Sequence, residues 1–295
     1  MKQAIEKLKT YIKENDLNVF DIAGMDKNGL IYEKIRPANS ANNSYSVSKS
    51  FTGTAFGVAF DKGLLTPETL VLQFFTDKLP KTYDKKWESV QIKHLLTHTF
   101  GSDHGYLFED QITNEDCDDW TKYVFTQPLN LNVGERLVYS NVGCYLTARI
   151  IEKVSGTPFD RFVREEIFDK LGFRYYGFIT DHNGNALGAS GMVLRTIDCA
   201  KFGYMYANSG VFDGKRVLSE EWVKLASTTA IIENGDREYT VACFWREPKH
   251  YTYYADGAYG QFIFIEPKKG YSIAVHAYIE TPAPAREFAK ILVKD

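Results

Sequence analysis

Ser46 and Lys49 stand three residues apart, the separation at which two side chains share one face of a helix. A serine hydroxyl is a poor nucleophile until a base removes its proton. A lysine amine serves as that base once burial brings its pKa well below about 10.4. At the start of a helix the Ser46 backbone N–H also faces a position where an oxyanion would develop. Taken alone the pair is weak evidence. With 14 serines and 24 lysines in the chain, about one Ser-x-x-Lys is expected by chance, and a polar helix face explains it equally well.

A second group is Tyr139-Ser140-Asn141. Residues two apart on an extended segment point the same way, so Tyr139 and Asn141 can face one site together. A phenol beside an amine shuttles a proton to a leaving group. A carboxamide fixes both the lysine and a substrate carbonyl. The plainer reading is a buried tyrosine followed by a helix N-cap.

The surrounding pattern supplies elements for these groups. Met1–Asp16 reads as an amphipathic helix with Ile5, Leu8, Tyr11 and Ile12 on one face. Val19–Met25 and Leu30–Ile35 are β-rich runs joined across Asn28-Gly29, a hairpin signal. Helices are expected over Ser46–Lys62, Ile92–Thr97, Trp120–Phe125, Val142–Val154, Phe159–Ile167 and Thr196–Asn208, with a last one over Pro284–Val293. Strands are expected over Tyr239–Trp245, Tyr251–Ala255, Gln261–Glu266 and Tyr271–Tyr278. Strands at both ends with helices between imply one α+β domain. Its antiparallel sheet is built from the two termini (residues 1–64 and 212–295) and flanked by helices, with a mainly helical subdomain inserted over 65–211.

In this order the motifs resemble the serine β-lactamase-like superfamily, in its class C β-lactamase, esterase and D-aminopeptidase branch. The resemblance rests on Tyr45-Ser46-Val47-Ser48-Lys49-Ser50-Phe51, Leu95-Leu96-Thr97-His98-Thr99-Phe100-Gly101 and Gly134 through Asn141. It continues through Gly191-Met192-Val193-Leu194-Arg195-Thr196, Gly257-Ala258-Tyr259-Gly260-Gln261 and Glu266-Pro267, and so covers about residues 20 to 280. It implies a β-lactamase/transpeptidase-like fold and an acyl-enzyme on Ser46. Lys49 and Tyr139 would share the acid and base roles, and Asn141 would position substrate. The N–H groups of Ser46 and Ala258 would form the oxyanion hole.

The sequence departs from that family at its third motif, which usually opens with lysine or histidine and binds a substrate carboxylate. Here the equivalent stretch is Ala255-Asp256-Gly257. Asp256 in place of a cation repels anionic substrates and favours a neutral or cationic ester or amide. Phe100 replaces a small residue before Gly101, and with Asp256, Gly257 and Tyr259 it is a candidate for the cleft. Ser102-Asp103-His104-Gly105-Tyr106 is expected at the cleft mouth or as a plain polar loop. The aromatic-rich stretch Phe244–Tyr259 is expected to be mostly strand packing, with a hydrophobic acyl pocket as the alternative.

Other chemistries find less support. No Gly-x-Ser-x-Gly elbow accompanies His98 or His104, so a Ser-His-Asp triad is set aside and His98 is expected to be structural. Asp181-His182-Asn183-Gly184-Asn185 lacks the sixth-position glycine and closing glutamate of a calcium loop and reads as a turn. The four cysteines are far apart and read as structural thiols, so neither metal nor cofactor is expected. A net charge of −3 gives no electrostatic footprint for nucleic acid or anionic membrane. The N-terminal stretch lacks the apolar core of a secretory signal, which points to a cytoplasmic location. The expected partner is a small-molecule ester or amide. The expected function is a serine acyl hydrolase, with a penicillin-recognising protein or a non-catalytic binding protein on the same fold as alternatives.

Overall fold

The hairpin forms where the Asn-Gly pair places it. In the computed structural model, which describes residues 1–108, 117–233, 237–280 and 284–293, Val19–Asp26 (β1) runs into Gly29–Lys34 (β2). Asp26 Oδ1 accepts the Asn28 N–H at 2.7 Å, and Gly29 takes φ +119°, open to glycine and strained for other residues. Lys2–Glu14 (α1) precedes the hairpin and buries Ile5, Leu8 and Ile12.

Six further strands complete the sheet. They are Thr229–Glu233 (β3), Arg237–Thr240 (β4), Trp245–Arg246 (β5), Tyr253–Gly257 (β6), Gln261–Glu266 (β7) and Tyr271–Ala277 (β8). The order is β2-β1-β8-β7-β6-β5-β4-β3, antiparallel at every pairing. The ends of the chain meet at β1 and β8, where Ile22 pairs with Val275. All six residues of β7 are buried, because helices cover both faces. Phe262 packs on Phe288 of one helix, and its neighbour Ile263 lies against Gly203 of another.

The main helices are Val47–Asp61 (α2), Val142–Ser155 (α3), Thr196–Ala207 (α4) and Pro284–Val293 (α5). α1 and α5 pack on each other. α2 is buried at every position from Val47 to Ala59, its polar Ser50, Thr52 and Thr54 side chains each hydrogen-bonded. A Cβ on Gly53 would lie 2.6 Å from the Ala242 carbonyl oxygen, and one on Gly143 of α3 only 2.0 Å from that of Leu95. Glycine therefore permits the close crossings that hold α2 and α3 at the sheet end.

Several expectations needed correction. Tyr239–Trp245 is not one strand: it breaks at Val241–Phe244, where Cys243 is left-handed (φ +61°), and folds back so that Trp245 pairs with Tyr239. β3 lies in a stretch to which the sequence pattern assigned no element. Thr196–Ala207, inside the span assigned to the helical subdomain, instead packs across β8, β1 and β7. After Phe159–Val163 the helix widens to a π turn over Arg164–Phe168. Asp181 closes a tight turn by accepting the Asn183 and Asn185 N–H groups, both at 2.9 Å. Cys144, Cys199 and Cys243 are buried free thiols. Among the described residues no helix is long and apolar enough to cross a membrane.

Candidate active site

Ser46 is the N-cap of α2 and already has helical angles (φ −68°, ψ −10°), while Tyr45 before it is left-handed at φ +45°. That conformation costs an L-residue about 1–2 kcal/mol, and it persists where neighbours hold it. Here Asn43 Oδ1 accepts the Tyr45 N–H at 2.9 Å, and the Tyr45 carbonyl accepts from Ser48 at 3.0 Å. The Tyr45 ring meets Tyr259 edge-on at 5.1 Å; Tyr259 is itself left-handed (φ +62°) and stacks on Tyr278 at 4.7 Å.

Lys49 is buried one turn into α2. Its Nζ donates to Ser46 Oγ at 3.0 Å, Asn141 Oδ1 at 2.6 Å and the Ala189 carbonyl at 2.9 Å. These three contacts fix the direction of the amine. Asn141 is the N-cap of α3, and its Nδ2 donates to the Leu107 carbonyl at 2.7 Å, so both ends of the amide are held. The Lys49 Nζ also lies 4.8 Å from the centre of the Tyr139 ring.

Tyr139 is half-buried in the cleft wall, and burial pushes its phenol well above the usual tyrosine range; a hydrogen bond with Ser46 works the other way. The side chain is therefore a neutral phenol, able to give a proton. His98 supports it from behind, ring centres 4.7 Å apart, and its Nε2 shares a hydrogen bond with the Tyr239 hydroxyl at 3.0 Å. Burial first, then the Lys49 charge, hold His98 neutral, well below the ordinary histidine value. His98 thus packs behind the phenol.

Ser46 opens onto two adjoining cavities. One, of about 470 Å³, is lined by Tyr139, Trp245, Arg237, Asp256 and Gly257. The other, of about 390 Å³, is lined by Tyr45, Asn141, Ser190 and Tyr259. Ser46, Phe108 and Ala258 border both. A Cβ on Gly257 would lie 2.5 Å from the Ser44 carbonyl and 3.2 Å from the Val47 nitrogen. That glycine lets β6 press against the start of α2, which brings Ala258 beside Ser46.

The beta-lactamase family matches this chain over residues 34–295. The chain belongs to that family. A sequence relative is the 6-aminohexanoate-dimer hydrolase of Paenarthrobacter ureafaciens, 25% identical over 208 residues, which are 65% of this chain and 51% of that protein. The chain spans about half the length of the curated relatives it matches. Among solved structures, a penicillin-binding protein homologue from Caulobacter crescentus superposes with a TM-score of 0.77 at 13% identity, covering 98% of this chain and 95% of that one. The octameric penicillin-binding protein homologue from Pyrococcus abyssi gives 0.74 at 20% identity, over 98% and 75% of the two chains. At such identities the likeness establishes the β-lactamase/penicillin-binding-protein-like α+β fold.

At the third motif the sequence reading was incomplete. Position 255 is alanine, yet a cation enters the cleft from β4: an Arg237 guanidinium nitrogen lies 3.7 Å from Asp256 Oδ2, and its central carbon 3.8 Å over the Trp245 ring. Asp256 therefore faces a counter-charge. Phe100 is not a cleft residue. It is buried, stacked on Trp87 at 5.8 Å. Ser102–Tyr106 stays out of the cleft lining too: the Tyr106 carbonyl accepts from the Asn141 N–H and Ser140 Oγ, each at 3.1 Å, and steadies that turn. Of the aromatic-rich stretch only Trp245 and Tyr259 reach the cleft. The sequence reading missed Phe108 and Arg237, and also the Ala189 carbonyl, which no side-chain pattern marks.

Proposed function

We propose that this chain is a serine acyl hydrolase, an esterase or amidase, working through an acyl-enzyme on Ser46. The observation that carries this is Lys49 Nζ held within hydrogen-bond reach of Ser46 Oγ and Asn141 Oδ1 together. Ser46 Oγ attacks the substrate carbonyl carbon while Lys49, in its neutral amine form, takes the Ser46 proton. Charge gathers on the carbonyl oxygen, which the Ser46 and Ala258 N–H groups receive. The bond to the leaving nitrogen or oxygen then breaks, and that atom takes a proton from Tyr139, which recovers one from the Lys49 ammonium so that the neutral amine is restored. Water repeats the steps in reverse order to free Ser46. Asn141 keeps the lysine aimed, and no cofactor or metal enters this scheme.

Kinship to a 6-aminohexanoate-dimer hydrolase supports amide as well as ester substrates. Hydrolysis of a panel of p-nitrophenyl esters, D-amino-acid amides and a chromogenic cephalosporin, with Ser46→Ala as control, tests the proposal. Turnover lost in the variant supports it, and full activity in the variant refutes it.

A second reading, penicillin recognition, is favoured by Arg237, which would meet a β-lactam's carboxylate. Stable labelling of Ser46 by a fluorescent penicillin is its test. A purely binding role fits less well with Ser46, Lys49, Tyr139 and Asn141 all present and mutually bonded.

A further inference from the structure

On the acyl-hydrolase reading, which this inference requires, Tyr139 must hold its hydroxyl where a leaving atom can take the proton. The Tyr139 ring lies between two flat partners, His98 at 4.7 Å and Trp245, stacked at 6.1 Å and 25°. Tyr239 touches both of them. Its hydroxyl shares the 3.0 Å hydrogen bond with His98 Nε2, and its ring meets the Trp245 indole edge-on at 4.4 Å. The backbones of Tyr239 and Trp245 also pair across β4 and β5.

His98 is a costly residue to use as mere packing. It and Tyr239 are both buried, at 1% exposure. The His98 backbone is left-handed at φ +57°, and its Nδ1 has no hydrogen-bond partner among the described residues. A left-handed backbone and an unpaired buried polar atom are each destabilising. Their coincidence at one residue behind the site points to a task that an apolar side chain would not perform. Its contacts show that task. The His98 carbonyl accepts the Val138 N–H at 2.9 Å, so the backbone entering Tyr139 is held as well as the ring. Among the described residues the Tyr239 hydroxyl is the imidazole's one hydrogen-bond partner, and it sets how that ring lies against the phenol.

We propose that Tyr239 is a positioning residue: through its hydrogen bond to His98 and its contact with Trp245 it holds the Tyr139 phenol at the angle from which it protonates the leaving atom. Neither Tyr239 nor His98 lines the two cavities at Ser46, so both act through Tyr139.

Tyr239→Phe deletes the bond to His98 and keeps the ring against Trp245. Butyrate esters of p-nitrophenol, phenol and trifluoroethanol depend increasingly on a donated proton, and kcat/KM on each reads acylation. In Tyr239→Phe the trifluoroethyl ester should lose about tenfold and the p-nitrophenyl ester less than about threefold. In a Tyr139→Phe background the same substitution should leave the ratio of the two rates unchanged, as a residue acting only through the phenol must. His98→Phe removes the bond from its other side and should shift the ratio in the same sense. Equal losses on all three esters, or an equal shift of the ratio in the Tyr139→Phe background, would make Tyr239 a structural residue only and overturn the proposal. If Tyr139→Phe moves the ratio and Tyr239→Phe does not, this inference alone fails. If Tyr139→Phe leaves the ratio unmoved, the proton-donor reading of Tyr139 fails with it.

Discussion

Lys49 and Asn141, 92 residues apart in sequence, meet at 2.6 Å between Nζ and Oδ1. This contact ties the N-terminus of α2 to that of α3 and gives the lysine a fixed direction toward Ser46. Burying a lysine amine is costly unless its polar atom is partnered, and here Ser46, Asn141 and the Ala189 carbonyl all lie within hydrogen-bond reach. Asn141→Ala removes one acceptor and leaves the Leu107 carbonyl without its side-chain donor. We expect kcat on the best ester to fall by about 10–100-fold, with stability lowered by about 1–3 kcal/mol. Unchanged kcat would show that the lysine needs no such guide.

Tyr139→Phe keeps the ring packed on His98 and Trp245 and deletes only the hydroxyl. If the phenol protonates the leaving atom, kcat falls by about 10²–10⁴. The loss should be larger for amides than for p-nitrophenyl esters, whose leaving group departs without a proton. Equal losses on both substrates would contradict the role.

Gly257→Ala places a methyl group 2.5 Å from the Ser44 carbonyl. Both partners there are backbone, so β6 and the start of α2 must separate. Displacing one oxyanion donor is expected to cost about 10²–10³ in kcat. Thermal unfolding should show a loss of about 1–3 kcal/mol. Activity close to wild type would mean that Ala258 does not serve the oxyanion.

His276 is fully buried on β8, and burial lowers its pKa from 6.5 to about 4. The unfolded chain takes up a proton near pH 6.5 that the folded chain refuses until about pH 4. Its contribution is therefore complete above pH 6.5 and is lost as pH falls through that window, at about 1.4 kcal/mol per pH unit. Asp21 and Glu152, whose carboxyls burial raises, work in the opposite sense. The difference between wild type and His276→Gln in urea unfolding from pH 4 to 7 isolates the histidine: the variant should lose the equivalent of one proton of slope. Parallel profiles would refute this.

Much of this arrangement was legible in the sequence because its signals are local. Asn28-Gly29 marks a hairpin wherever it sits between β-rich runs, and Phe51, Ala55, Val58 and Ala59 recur at the spacing of one helix face. Ser46, Lys49, Tyr139 and Asn141 were readable because each lies at an element's start or in a short spacing with its partner. What stayed hidden depends on contacts distant in sequence. Cys243 breaks an otherwise continuous strand pattern through a left-handed turn that nothing in Tyr239–Trp245 announces. That turn creates β5, and β5 places Trp245 under Arg237. A reading by local motif looked for the missing cation at position 255, whereas the fold supplies one from β4. Phe100 misled for a similar reason: it follows a family motif closely, but its ring turns to Trp87 in the core.

The central claim is covalent chemistry at Ser46, and intact-protein mass spectrometry reads it directly. Rapid quenching during turnover of a p-nitrophenyl ester should give a species heavier by the acyl group, mapped by proteolysis to the peptide containing Ser46. The adduct should be absent in Ser46→Ala and should persist longer in Tyr139→Phe. An ester that is hydrolysed with Ser46 unmodified throughout, or an adduct on another residue that survives Ser46→Ala, would contradict the account.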